Sequence, residues 1–385
     1  MRRKIAVVTS SRADYSHLYW PLRELQRHPE VELSLIVMAS HLSPEFGETV
    51  HEIERDGFPI AARVECLLSS DSDVGMAKSI GIGILGIADC LATLRPNLLL
   101  LIADRYEMLA PAAAALALRI PIAHIEGGEI SQGAIDDSVR NALTKMAHIH
   151  FTSTAAARDR VIGMGEEPWR VHQAGAPSLD HVRRSSLPTR EELERGLCID
   201  LQQPTAIVAY HPVTLLEDTL EESEALFVAL ADLRMQLLFC YPNADAGSRK
   251  LIARARRFVT ERGNAKVFVN LPAVTYWSLL RFAALMIGNS SSGIMESGSF
   301  ALPVVDVGLR QRGRERGPNV LHAEANSNSI AAALAVAGSE AFGRQLNGMT
   351  NLYGDGCAAE RIASVLANLP SRERLLFKNP AESRP

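Results

Sequence analysis

Cysteine is scarce in this chain and poorly placed for its usual structural uses. The five cysteines, Cys66, Cys90, Cys198, Cys240 and Cys357, are odd in number and scattered without metal-ligand spacing. They read as reduced thiols of a cytoplasmic protein, which excludes a disulfide framework and a zinc module. Long hydrophobic runs are missing as well. Stretches such as Leu109 to Leu118 are too short to cross a bilayer, so no membrane partner is expected. The basic start, Met1-Arg2-Arg3-Lys4, leads at once into the strand-like Ile5-Ala6-Val7-Val8 and not into the apolar segment of a signal peptide. No excess of positive charge exists either. The formal net charge is −4, which argues against a nucleic-acid partner. Finally, the first strand-to-helix turn, Thr9 to Asp14, contains no glycine. A GxGxxG string does occur at Gly81-Ile82-Gly83-Ile84-Leu85-Gly86, but it follows the polar, helix-like Asp73–Ser79. A dinucleotide fingerprint needs a strand before it, so no NAD is expected, and no other cofactor or metal. These glycines are expected to permit close helix packing or movement.

What is present is enough apolar material for two domains or one large one, 47% of 385 residues. Short apolar stretches alternate with longer amphipathic ones. Lys4–Thr9, Val31–Ala39, Asn97–Ala103 and Ile120–Ile125 read as buried strands, and Asp14–His28, Pro44–Asp56, Met76–Leu94 and Met108–Leu118 as helices. This is the pattern of a parallel sheet covered on both faces. The pattern breaks at Ala176–Pro204, where Pro177, Pro188 and Pro204 flank the charged Arg190–Arg195. A second α/β series follows, with strands at Thr205–Tyr210, Gln236–Cys240, Val267–Val269, Leu285–Ile287 and Val304–Val307. The expected organisation is a first domain over 1–180, a second over 181–370 whose last helix, 358–369, packs back on the first, and a loose tail over 371–385.

Polar residues collect after the strands, where open α/β sheets bind ligands. Gly288-Asn289-Ser290-Ser291-Ser292-Gly293 follows a strand and precedes a helix-compatible stretch ending near Phe300. Free N–H groups, a helix dipole and hydroxyls at such a turn make a phosphate cradle, with Glu296 one turn on as an acceptor for a ribose diol. Arg12 reads as a bidentate phosphate partner, and Asp14 as a helix N-cap. Asp104 stands beside Arg105 and ahead of Glu107. Glu126 lies between a strand and Gly127-Gly128, glycines that let a ligand approach the backbone. Asp136 opens a helix and is spaced to pair with Arg140. His211 precedes Pro212 at a strand end. Arg310 is expected to close over a diphosphate, while Arg314 and Arg316 read as solvated loop charges.

The chain resembles the hydrolysing UDP-N-acetylglucosamine 2-epimerases, from about Lys4 to Leu366. The resemblance is carried by Ser11-Arg12-Ala13-Asp14-Tyr15, Asp104-Arg105-Tyr106-Glu107, His124 through Glu129, Gly133 through Ser138, His211-Pro212-Val213-Thr214, Gly288 through Glu296, Gly308-Leu309-Arg310-Gln311 and Asn319-Val320-Leu321. It implies a GT-B-like α/β fold, two Rossmann-like domains with parallel sheets around a central cleft. It also implies that Ser290 and Ser291 hold a diphosphate, that Glu296 takes the ribose, and that Arg12 and Arg310 contact phosphates. Gly127 falls on the substrate side, and Asp104, Glu126, Asp136 and His211 on catalytic positions. The implied reaction converts UDP-N-acetylglucosamine to N-acetylmannosamine and UDP for sialic-acid-type biosynthesis. Relatives acting on UDP-2,4-diacetamido-2,4,6-trideoxyglucose or on GDP-sugars share most of these motifs. The implied partner is a UDP-sugar, with a homo-oligomer, dimer or tetramer. Ala103, Asn141 and Cys357 depart from the family pattern. A glycosyltransferase, a non-hydrolysing epimerase and a non-catalytic sugar-nucleotide sensor are the rival functions.

Overall fold

The computed structural model describes residues 2–68, 72–213, 215–216, 220–241, 248–269 and 271–379. Thr214 of the His211–Thr214 motif and residues 380–385 of the expected tail lie outside this set. Contacts divide the chain into two units. One takes the described residues of Met1–Glu129, Asp136–Asp180 and Gly354–Pro385, and the other Ile130–Ile135 and His181–Tyr353.

Unit 1 is built on a seven-stranded sheet of β1 (Arg3–Thr9), β2 (Val31–Met38), β3 (Ile60–Val64), β4 (Leu98–Ile102), β5 (Ile122–Ile125), β6 (Ile149–Thr152) and β7 (Val171–Gln173). Their order is β3-β2-β1-β4-β5-β6-β7, and the pairs are parallel. Central strands such as β4, Leu-Leu-Leu-Leu-Ile, are buried throughout because helices cover both faces. Unit 2 holds β8 (Thr205–Ala209), β9 (Gln236–Tyr241), β10 (Ala265–Val269), β11 (Leu285–Gly288), β12 (Val304–Val307) and β13 (Val320–Ala323), in the order β10-β9-β8-β11-β12-β13. Each order reverses once, at β1/β4 and at β8/β11. At such a point the connections leave to opposite sides and open a crevice at the carboxyl ends of the strands.

Two expectations about the chain's course are corrected. The segment Ile130–Ile135 belongs to unit 2, not to the unit that surrounds it in sequence. Its glycine explains why: a Cβ on Gly133 would lie 2.7 Å from Arg310 Cα, so only glycine lets this backbone pack on the Leu309-Arg310 backbone. The tail over 371–379 is not loose. Arg372–Leu376 forms a short helix, and the buried Arg170 donates to the carbonyls of Arg374, Leu375 and Phe377. Lys378 Nζ lies 2.8 Å from Glu166 Oε1, which also takes Lys145 Nζ at 2.5 Å. In the same unit the Ala358–Ala367 helix joins the core around Leu18 and Leu22, its first N–H groups accepted by Asp180.

The GxGxxG string lies inside the 22-residue helix Asp73–Leu94. A Cβ on Gly83 would stand 3.0 Å from Ala110 Cβ, and one on Gly86 2.6 Å from Val64 Cγ1, so these glycines permit close packing. This helix is also long and apolar enough to cross a membrane by length and composition, although it holds no unbroken apolar run of that length. Four glycines and Ser79 interrupt its sequence. One stripe, Gly75, Ser79, Gly83, Ile87 and Leu91, is buried.

Unit 1 also carries buried histidines. Burial pushes His41 down to about 3 and His124 and His148 down to about 4, all below the ordinary 6.5. A folded-state value below the unfolded one gives stability that is complete above the unfolded value and is lost as pH falls toward the folded one. The urea midpoint is therefore expected to hold steady above about pH 7 and to fall between about pH 6 and pH 4. A midpoint that stays level across that interval contradicts the account.

Candidate active site

In unit 1 the β1/β4 reversal is flanked by the Ser10-Ser11-Arg12 turn and by Asp104. Ser11 caps the Arg12–Arg27 helix. Asp14 is not the cap: its carboxylate accepts from Ser10 N at 3.2 Å and Ser10 Oγ at 2.6 Å, which fixes the turn. Arg12 places its guanidinium on Glu52. After β4, Ala103 adopts a left-handed φ of 58°, a conformation that favours glycine. Its carbonyl accepts from His124 Nε2 at 2.8 Å.

Asp104 does not pair with Arg105, whose guanidinium goes to the buried Glu107 at 3.1 Å. It meets Arg140 instead. Arg140 is 1% exposed, donates to the Glu129 carbonyl at 3.1 Å and stands 3.8 Å from Asp137. One arginine thus gathers the end of β4, the turn after β5 and the helix Asp136–Met146, whose first residue is the half-buried Asp136. The i,i+4 reading of Arg140 missed this. Its partner Asp104 is 36 residues away, and sequence spacing carries no signal for such a pair.

Glu126 is buried, with a left-handed φ of 65°, and its Oε1 lies 2.8 Å from His17 Nδ1. Helical position alone gave no reason to single out His17. The glycines after Glu126 are needed by packing within the unit. A Cβ on Gly127 would lie 3.0 Å from Thr144 Oγ1, and one on Gly128 would collide with the Ala157 carbonyl.

In unit 2 the β8/β11 reversal is flanked by His211 and by the serine turn. Gly288, at φ 139°, brings its backbone so close to Ala209 that a Cβ would overlap the Ala209 carbonyl. Ser290 and Ser291 are half-buried at the carboxyl end of β11. Ser292 Oγ is 2.6 Å from Tyr276 OH. The helix that follows is shorter than expected. It covers only Ser292–Met295, breaks at the buried Glu296 and resumes as a 3-10 turn, Ser297–Phe300. So short a helix sums few peptide dipoles, and the N–H groups of Asn289 and Ser290 already donate to the Ala209 carbonyl, so the expected phosphate cradle rests on the serine hydroxyls and the remaining N–H groups.

Arg310 Nη1 donates to the Asn289 carbonyl at 3.2 Å. Arg314 and Arg316 of the same loop are not solvated charges. Arg314 is 6% exposed and donates to Gln311 Oε1 at 2.9 Å, and Arg316 grips Asp306 at 2.6 Å. Glu222, unremarked in the sequence, faces this edge: Tyr210 OH lies 3.3 Å from its Oε2, and a Cβ on Gly308 would overlap its carboxylate. Among the described residues no group of His, Cys, Asp and Glu side chains is placed to hold a metal ion.

The family model described as UDP-N-acetylglucosamine 2-epimerase matches residues 23–367. The chain is 35% identical, over 98% of its length and 99% of the relative's, to the UDP-N,N'-diacetylbacillosamine 2-epimerase (hydrolyzing) of Legionella pneumophila. It is 31% identical to the UDP-N-acetylglucosamine 2-epimerase of Neisseria meningitidis over 85% of both chains. Its fold is similar, with a TM-score of 0.78 at 16% identity over 94% of this chain and 99% of the other, to the Methanocaldococcus jannaschii UDP-GlcNAc 2-epimerase solved with UDP-GlcNAc and UDP. The two parallel sheets therefore form a GT-B-like α/β fold, and the chain belongs to the UDP-N-acetylglucosamine 2-epimerase family.

Proposed function

We propose that this protein is a hydrolysing 2-epimerase that converts a UDP-activated 2-acetamido sugar to the free manno-configured sugar and UDP. The observation that carries the reading is the gathering of Asp104, the Glu126–Glu129 turn and the Asp136 helix by Arg140. Inversion at C2 requires removal of a hydrogen that is not acidic in the ground state. Breaking the C1–O bond to UDP first creates an oxocarbenium-like cation, which makes that hydrogen acidic. Such chemistry needs carboxylates near C1 and C2 and a stabilised leaving diphosphate. Asp104, Glu126 and Asp136 supply the first, as base, cation stabiliser and activator of water. Ser290, Ser291, Arg310, Arg12 and His211 serve the second. Elimination gives a 2-acetamidoglucal. Water then adds at C1, and a proton returns to C2 on the opposite face.

Two sugars suit this chemistry. UDP-N-acetylglucosamine would yield N-acetylmannosamine. UDP-2,4-diacetamido-2,4,6-trideoxyglucose is favoured by the 35% identity, along nearly the whole chain, to a diacetylbacillosamine epimerase. Incubation with each, followed by NMR identification of the released sugar, decides between them. Recovery of a UDP-sugar epimer without free UDP would reject hydrolysis.

The nucleotide assignment has its own test. Glu296→Ala and Arg310→Ala are each expected to weaken UDP binding by about 1–3 kcal/mol, the scale of a lost charge-assisted hydrogen bond. Unchanged UDP affinity by calorimetry in both variants would reject it.

A further inference from the structure

The sequence of the serine turn invites the assignment of Asn289 to the ligand along with its neighbours. Its bonding says otherwise. An asparagine side chain offers one carbonyl and one NH2 group. Asn289 Oδ1 accepts from His211 N–H at 2.6 Å, and Asn289 Nδ2 donates to the His211 carbonyl at 2.8 Å. Its own N–H donates to the Ala209 carbonyl at 3.1 Å, and its carbonyl accepts from Arg310 Nη1 at 3.2 Å and from Gln311 Nε2 at 3.1 Å. The residue is 0% exposed.

This pattern has a structural logic. Gly288 pairs with Ala209 in the last rung of the β8–β11 ladder, and its φ of 139° then turns the backbone. One residue further on, the Asn289 amide offers His211 the donor and acceptor that a neighbouring strand would have offered. His211 is followed by Pro212, which already biases it toward extended backbone, and the amide fixes it there. The Asn289 carbonyl meanwhile collects the loop after β12. One buried amide residue thus ties the ends of β8, β11 and β12 together.

We infer that Asn289 is a positioning residue that sets the direction of His211 and joins it to the Arg310 loop, and that it does not contact substrate. The inference rests on the functional reading of His211 given above. Asn289→Asp keeps the shape but sets an acceptor against the His211 carbonyl. Turnover is expected to fall about 10- to 30-fold, the scale of one lost buried hydrogen bond. UDP affinity should change less than turnover does, because the backbone carbonyl that holds Arg310 remains and His211 acts on the diphosphate as it leaves. Asn289→Ser, which shortens the side chain by one bond and sets no charge against the His211 carbonyl, should also lower turnover, and it carries the test if the aspartate variant does not fold. The decisive measurement repeats both substitutions in a His211→Ala background. With the imidazole gone, they should alter turnover by less than about twofold. Equal losses in both backgrounds, or UDP affinity falling in step with turnover, would overturn the latch while leaving His211 in place. Full turnover in His211→Ala alone would overturn the reading of His211 and the latch with it.

Discussion

Glu126→Gln is expected to lower turnover by about 100-fold or more while UDP affinity stays unchanged, the usual consequence of losing an acid–base group. The substitution is nearly isosteric and removes the negative charge together with the capacity to take or give a proton. Glu126 is well prepared for that task. Its backbone is held left-handed at the end of β5, its carboxylate is buried, and His17 Nδ1 lies 2.8 Å from Oε1. It belongs to unit 1, whereas the serine turn and Arg310 belong to unit 2, so nucleotide binding is expected to survive. Turnover within a few-fold of wild type would make Glu126 structural.

Arg140→Met is expected to destabilise the protein by about 3–5 kcal/mol, the range for removing one partner of a buried ion pair. Methionine fills much of the space but leaves Asp104 and the Glu129 carbonyl without their common donor. Arg140→Lys tests the geometry apart from the charge. A lysine presents a point charge and cannot reproduce the planar fork that reaches Asp104 and the Glu129 carbonyl together. It should recover part of the stability and little of the turnover. Chemical denaturation with parallel turnover assays checks both, and wild-type stability in Arg140→Met would show that the pair holds nothing in place.

The central strands were legible because burial on both faces forces unbroken apolar runs, as in Leu98–Ile102. Three of the four edge strands were not. Ile60–Val64 alternates in burial and carries Arg63, and Val171–Gln173 has only three residues. Val320–Ala323, at one edge of the unit 2 sheet, exposes its middle. The site divides in a similar way. Acids and hydroxyls at strand ends could be read from position, because a parallel sheet binds ligands at its carboxyl edge. Arg140, His17, Asn289 and Glu222 could not, since each takes its meaning from a partner distant in sequence. The serine turn was read correctly as a strand-end turn and too generously as a helix start, because the short helix breaks at Glu296.

The central claim is that C1–O cleavage, C2 deprotonation and hydration occur in one enzyme. It is tested most directly by isotopic labelling of a single turnover mixture. The UDP-sugar is incubated in D2O, and separately in water enriched in oxygen-18, and the products are read by NMR and mass spectrometry. The account predicts a free manno-configured sugar with deuterium at C2 and heavy oxygen at C1, and UDP with no heavy oxygen. A gluco-configured product lacking deuterium at C2 would mean plain hydrolysis, and heavy oxygen in UDP would mean attack at phosphorus. Either result would contradict the roles given to Asp104, Glu126 and Asp136.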